Sequence, residues 1–144
     1  IFRESTPMGW VGTYDNFFKA LDLIISLNPK AIIPGHGPIC GVEGVTEIKE
    51  YFQYVRTESR KCFDDGMSSL DAAKKIDFGP YGSWKAPARL YMNVERAYRE
   101  FRNEPADAAW DKPATFDAIY KVAKAKGVPV EFWVMIPFQF NFKK

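Results

Sequence analysis

The chain opens on an apolar pair, Ile1-Phe2, which reads as the stub of a strand, and continues into a loop punctuated by Pro7, Gly9 and Gly12. From Thr13 the pattern turns helical. Thr13 is a good N-cap, and Phe17, Leu21, Ile24 and Ile25 share one face while Asp15, Lys19 and Asp22 fall away from it. That spacing predicts a helix to about Leu27, stopped by Asn28-Pro29. Ala31-Ile32-Ile33 then reads as a short buried strand, closed sharply by Pro34-Gly35-His36-Gly37-Pro38.

A second helix is predicted from about Val45 to Asp65, with Ile48, Phe52, Val55 and Phe63 along one face and Gly66 at its end. Ser68 or Ser69 caps a short helix through Lys75, and residues 77–86 read as irregular. Pro87 suits the first turn of a helix carrying Leu90, Val94, Ala97, Tyr98 and Phe101. A polar link around Pro105 to Pro113 leads to a helix from about Thr115 to Lys126, closed by Gly127. The tail changes period. Val130, Phe132, Val134, Ile136, Phe138, Phe140 and Phe142 alternate as in a strand, and Pro137 favours an edge or a bulge over a central position. Such a strand has to dock on a sheet or be shared with a partner.

Composition narrows the classes. The chain has 144 residues, 47% of them hydrophobic and 26% charged, which excludes disorder, collagen-like repeats and a disulfide scaffold. A net charge of +2 gives no argument for nucleic acid. Arg56, Arg60, Lys61, Arg96, Arg99 and Arg102 alternate with Glu58, Glu95 and Glu100, the pattern of a mixed solvated face. Asp64-Asp65, beside Gly66, reads as a solvated helix end. No run approaches the roughly 20 apolar residues of a membrane helix, and the start lacks the layout of a signal peptide. Cys40 and Cys62 read as free thiols in a reducing, cytoplasmic setting.

The chain contains a single histidine, so a His-rich metal site cannot be built from it alone. The placement of that histidine is nevertheless informative. Glycines on both sides of His36 permit backbone angles and close approach that a Cβ would block, and Pro34 and Pro38 stiffen the turn. A preorganised imidazole after a short strand is what a metal site requires; the plainer reading is an ordinary turn histidine. Cys40 completes a His-x-x-x-Cys spacing, although a buried thiol explains it equally simply. Trp10, Tyr81 and Trp84 are candidates for lining a substrate pocket, and each also fits a core.

The helix, short strand and Pro-Gly-His-Gly-Pro turn over Phe2 to Pro38 resemble the second half of the metallo-β-lactamase family of metal-dependent hydrolases. The stretch Trp84 to Arg102, with Ala88-Arg89-Leu90 and Asn93-Val94-Glu95-Arg96-Ala97-Tyr98-Arg99, is similar to the helical end of its cyclase-like, general hydrolase branch. The resemblance implies an α/β (α+β) fold, the second half of an αββα sandwich with a helical C-terminal region and a terminal strand. Residues 1–104 would form the C-terminal half of that domain, and residues 105–144 a helix and apolar strand packed on it. His36 would ligate one of two zinc ions, with iron or manganese as alternatives, and the nucleophile would be a metal-bound water attacking an ester, lactone, thioester, amide or phosphoester of a small-molecule substrate. The family's His-x-His-x-Asp-His loop is not in this chain, and its bridging Asp would precede Ile1. The expectation is therefore a truncated part, inactive alone, completed by a missing N-terminal half or a homo-oligomer partner. A reading from another class is a non-catalytic interaction module that oligomerises through its helices and aromatic tail.

Overall fold

The computed structural model describes residues 1–131. Its helices are α1 (Tyr14–Ser26), α2 (Val42–Asp64), α3 (Ser69–Lys75), α4 (Leu90–Phe101) and α5 (Lys112–Lys126), with 3-10 turns at Gly79–Ser83 and Pro87–Arg89. Local chemistry sets most of the boundaries. The Thr13 hydroxyl accepts the Asn16 N–H at 3.2 Å and the Ser68 hydroxyl accepts the Asp71 N–H at 3.1 Å, each satisfying a first-turn donor that has no partner inside the helix. Gly127 ends α5 in the left-handed conformation, at φ +64°. Helix α5 starts three residues before Thr115, because Asp111 accepts the Ala114 N–H at 3.0 Å and Pro113 sits in the first turn.

Helices α2 and α4 pack against each other at the centre, with α1 laid on α2, and α3 and α5 on α4. Val45, Ile48, Tyr51, Phe52, Val55 and Cys62 of α2 meet Leu90, Val94, Ala97 and Tyr98 of α4 in one buried cluster that also takes in Tyr14, Leu21, Ile119 and Val122. Aromatic edges fill much of it: Tyr14 stands edge-on to Phe52 at 5.6 Å, and Phe63 edge-on to Tyr98 at 5.2 Å. Cys40 and Cys62 are both buried free thiols. No helix of the described residues is long and apolar enough to cross a membrane.

The α/β sandwich is corrected to a helical architecture. The described residues form no sheet; their extended pairings are three isolated bridges, Phe2 with His36 and Ser5 with Lys85 in parallel, and Ile32 with Cys40 antiparallel. The apolar run Ala31-Ile32-Ile33 does not become a buried strand. Ile32 and Cys40 exchange backbone bonds of 2.7 and 3.1 Å that close the turn on itself, and Ile33 is 83% exposed. Of the predicted terminal strand, Val130 and Glu131 are described and lie in no regular element; residues 132–144 lie outside the described residues.

The N-terminal loop is held by polar side chains of α4. Arg96 is only 1% exposed, which corrects its assignment to a solvated face. Its Nε donates to the Gly9 carbonyl at 3.1 Å, Nη2 to Trp10 at 2.8 Å and Nη1 to Ala106 at 3.2 Å, while its guanidinium lies 5.3 Å from the Trp110 ring. One turn earlier, the Asn93 amide donates to the Pro7 carbonyl and to the Tyr51 hydroxyl, each at 2.9 Å. One turn later, the Glu100 carboxylate accepts the Tyr14 N–H at 2.8 Å, and the Tyr14 hydroxyl donates to the Asn93 carbonyl at 3.0 Å. Buried carbonyls without a donor are costly, so this stripe is what permits an irregular loop to pack on a helix.

Two predictions follow from the stripe. Arg96→Ala strands three carbonyls and should lower unfolding stability by about 3 kcal/mol or more in urea titration, with Arg96→Lys recovering little because an ammonium lacks the fork. Burial raises the Glu100 carboxyl above its usual value of 4.5, and the Tyr14 N–H offsets this only in part. A carboxyl raised on folding contributes most stability below its unfolded pKa and loses it as pH rises through the folded one. Glu100→Gln should therefore raise Tm at pH 7, and the gain should shrink towards zero as pH falls below the usual carboxylate range.

Candidate functional site

The turn at residues 34–38 is fixed from one side by the first three residues. The Gly35 N–H donates to the Ile1 carbonyl at 3.1 Å, and the Arg3 N–H donates to the His36 carbonyl at 2.8 Å. The Phe2 ring stacks on the imidazole of His36 with centroids 4.5 Å apart and planes 9° from parallel. Arg3 is itself anchored, because its guanidinium pairs with Glu47 of α2. His36 thus has a fixed backbone, one covered ring face and an otherwise exposed side chain.

The two glycines of the turn are not equivalent. Gly37 has φ +93°, and a methyl group placed on it would lie 2.0 Å from the Arg3 carbonyl oxygen, so the pairing of the strip with the turn requires glycine there. Gly35 has no such conformation, and its nearest neighbour to an added Cβ is the Ile1 oxygen at 3.9 Å. Pro34 is half-buried and Pro38 exposed, on either side.

His36 and Gly37 border a hollow of about 170 Å³ shared with Arg3, Lys85, Arg89 and Glu131. Lys85 is placed by the second parallel bridge: its N–H donates to the Glu4 carbonyl and its carbonyl accepts the Thr6 N–H, both at 3.0 Å. Two residues of the lining, Glu4 and Ala86, adopt φ +53° without being glycine. Such left-handed conformations cost on the order of 1–3 kcal/mol each and persist where the surroundings enforce them, often at functional sites. Arg89 is buried, which pushes its guanidinium below the usual range, and the nearby Glu131 carboxylate opposes that push.

The other sequence-derived candidates lie elsewhere. Trp84 is a core residue, 5% exposed, packed on Tyr51 and Tyr81 with centroids 5.3 and 4.8 Å away. Trp10 stands edge-on to Trp110 at 5.3 Å and to Phe116 at 6.2 Å, under the Arg96 network. None of Trp10, Tyr81 and Trp84 lines the hollow beside His36. Cys40 is buried with its sulfur against Gly44 of α2, where an added Cβ would stand only 2.5 Å from it; the missing side chain of Gly44 lets the thiol pack on the helix, and Cys40 does not join His36 at the hollow. The pattern of the sequence missed Lys85, Arg89 and Glu131 as neighbours of His36, since only the two bridges and the end of α5 bring them there.

Among the described residues, no three His, Cys, Asp or Glu side chains are grouped to hold a metal ion. The residues present fit one coordination position, an exposed and oriented imidazole, and not a complete centre, which for catalytic zinc takes three protein ligands. Comparison with protein-family models, with curated proteins and with solved structures finds no match to this chain.

The turn gives a contrast within five residues. Gly37→Ala should lose the Phe2–His36 stacking, read as loss of the ring-current shift on the His36 ring protons, with a stability cost of about 1–3 kcal/mol. Gly35→Ala should leave that shift in place.

Proposed function

We propose that this chain presents His36 as one ligand to the metal centre of a hydrolase, the remaining ligands coming from polypeptide outside it. The observation that carries this reading is the posture of His36: its backbone is bonded to Arg3, its ring is stacked on Phe2, and its side chain is exposed at the edge of a hollow. A histidine with no partner to meet has no need of a glycine-dependent pairing to fix its ring. The family resemblance supplies the reaction class, hydrolysis of an ester, lactone, thioester, amide or phosphoester of a small molecule. A metal bound there, zinc or alternatively iron or manganese, supplies activation of water. The buried free thiols agree with a reducing, cytoplasmic setting.

A second reading, an interaction module without catalysis, is favoured by the exposed apolar side chains Val11, Leu23, Leu27, Ile33 and Ile39. Both readings need a further polypeptide, either an N-terminal half or a second copy, and they differ in metal.

The test is metal analysis and a hydrolase panel on the full-length protein in which this chain occurs, compared with its His36→Ala variant. The expected result is bound metal in the parent, a loss of about one equivalent per chain in the variant, and a matching loss of hydrolysis. Equal metal content in the two proteins overturns the ligand assignment. A metal-free oligomer that dissociates when Phe138 and Phe140 become Ser establishes the second reading instead.

A further inference from the structure

Beside the strip that holds His36 lies a second concavity, of opposite character. It has a volume of about 200 Å³, and all ten of the described residues that border it are apolar. Its origin is local to α1. Phe17, Ala20 and Ile24 share one face of the helix, and Ala20, small between two large neighbours, leaves a gap towards Phe2 and Met8 of the strip. Ile48 and Phe52 of α2, 3% and 6% exposed, close the floor. The groove shares a wall with the hollow at His36. Met8 borders both, and Phe2, whose ring stacks on the imidazole, borders the groove.

We propose that this groove is the apolar subsite of the centre at His36 and takes an unbranched acyl or alkyl chain of about six carbons. The inference rests on the hydrolase reading for the bond that is cleaved, and it narrows the substrate to an ester, thioester or related acyl compound carrying such a chain. Size sets the length. An apolar cavity of roughly 150 Å³ admits benzene, so the groove's 200 Å³ suits about six to eight carbons. Character sets the class. Small-molecule sites combine apolar walls with a few placed polar groups, and here the polar groups, His36 and Lys85 among them, stand in the adjoining hollow. Two such concavities with only Met8 between them match one amphiphilic molecule, its chain in the groove and its polar end at the imidazole. Met8 suits the dividing position, since an unbranched thioether adapts its shape to what lies on either side.

The experiment is an NMR titration of the full-length protein, labelled at its methionine methyl groups, with 1-butanol, 1-pentanol and 1-hexanol. These probes are neutral and need neither metal nor turnover. The Met8 methyl signal, identified by its loss in Met8→Leu, should shift saturably, with affinity rising about fourfold per added methylene. Ala20→Phe should abolish the shift and keep the Phe2–His36 ring-current signature, since Ala20 is exposed and the new side chain fills the groove. Leu23→Ala, on the exposed apolar surface outside the groove, should leave the affinity unchanged. Chelator-treated protein should bind equally well, so a failed metal assignment leaves the groove standing. Absence of a saturable shift, the result expected if another part of the polypeptide fills the groove, overturns the proposal. Equal weakening by Ala20→Phe and Leu23→Ala overturns it too. For the substrate class, kcat/KM for 4-nitrophenyl esters should rise more than about tenfold from acetate to hexanoate, and Ala20→Phe should remove that preference. Equal turnover of the two esters overturns the acyl assignment, and a protein that binds hexanol but hydrolyses neither overturns the hydrolase reading and the substrate class with it.

Discussion

Everything at the functional end of this protein depends on α4 supplying hydrogen-bond donors to an irregular loop. A segment carrying Pro7, Gly9 and Gly12 cannot satisfy its own carbonyls by forming a helix or a strand, and covering those carbonyls with an apolar face would be prohibitive. Asn93 and Arg96 remove the obstacle by donating to Pro7, Gly9 and Trp10. The same face of α4 receives the Tyr14 N–H on Glu100, so the point where the loop becomes α1 is fixed by the helix that fixes the loop. The apolar contacts of α2 with α4 hold the body together, and the polar stripe decides what is attached to it.

The attachment matters because the first six residues carry both extended pairings of the site. Phe2 holds the histidine turn and Ser5 holds Lys85. Each pairing is a single bridge rather than a ladder, so neither is robust alone. They are held in common by a strip whose far end is gripped by α4. Local order at His36 is in this sense borrowed from a helix that does not touch the hollow, and loss of the grip would release both the imidazole and the ammonium.

Much of the helical framework was legible from local chemistry. Thr13, Ser68 and Gly127 are boundary residues whose side chains, or lack of one, act within a turn of their own position, so the sequence pattern finds them without knowledge of the fold. Asp111 does the same, but it lies in a stretch rich in charge and proline that reads as a link. The strand at Ala31-Ile32-Ile33 misled because an apolar run indicates burial only when something exists to cover it, and here Ile33 faces solvent. Arg96 misled in the opposite direction. Alternating charges indicate solvent, yet Asn93, Arg96 and Glu100 recur at helical spacing and form a stripe of their own, a signal that the count of charges conceals. The Pro-Gly-His-Gly-Pro turn was visible as a preorganised histidine. Its partners were not, since Lys85, Arg89 and Glu131 are far from it in sequence and no periodicity links them.

The strip from Phe2 to Ser5 also acts as a spacer. One end is paired with the histidine turn and the other with the backbone of Lys85, so the two groups are registered to the same three-residue interval. Three residues span at most about 10 Å, and the left-handed Glu4 within the interval shortens that reach. Any molecule that engages the imidazole at one end and the ammonium at the other is therefore limited in length by the chain itself. Lengthening or shortening the strip by one residue would change that spacing and the lining together, since Arg3 and Glu4 lie within the interval and border the hollow.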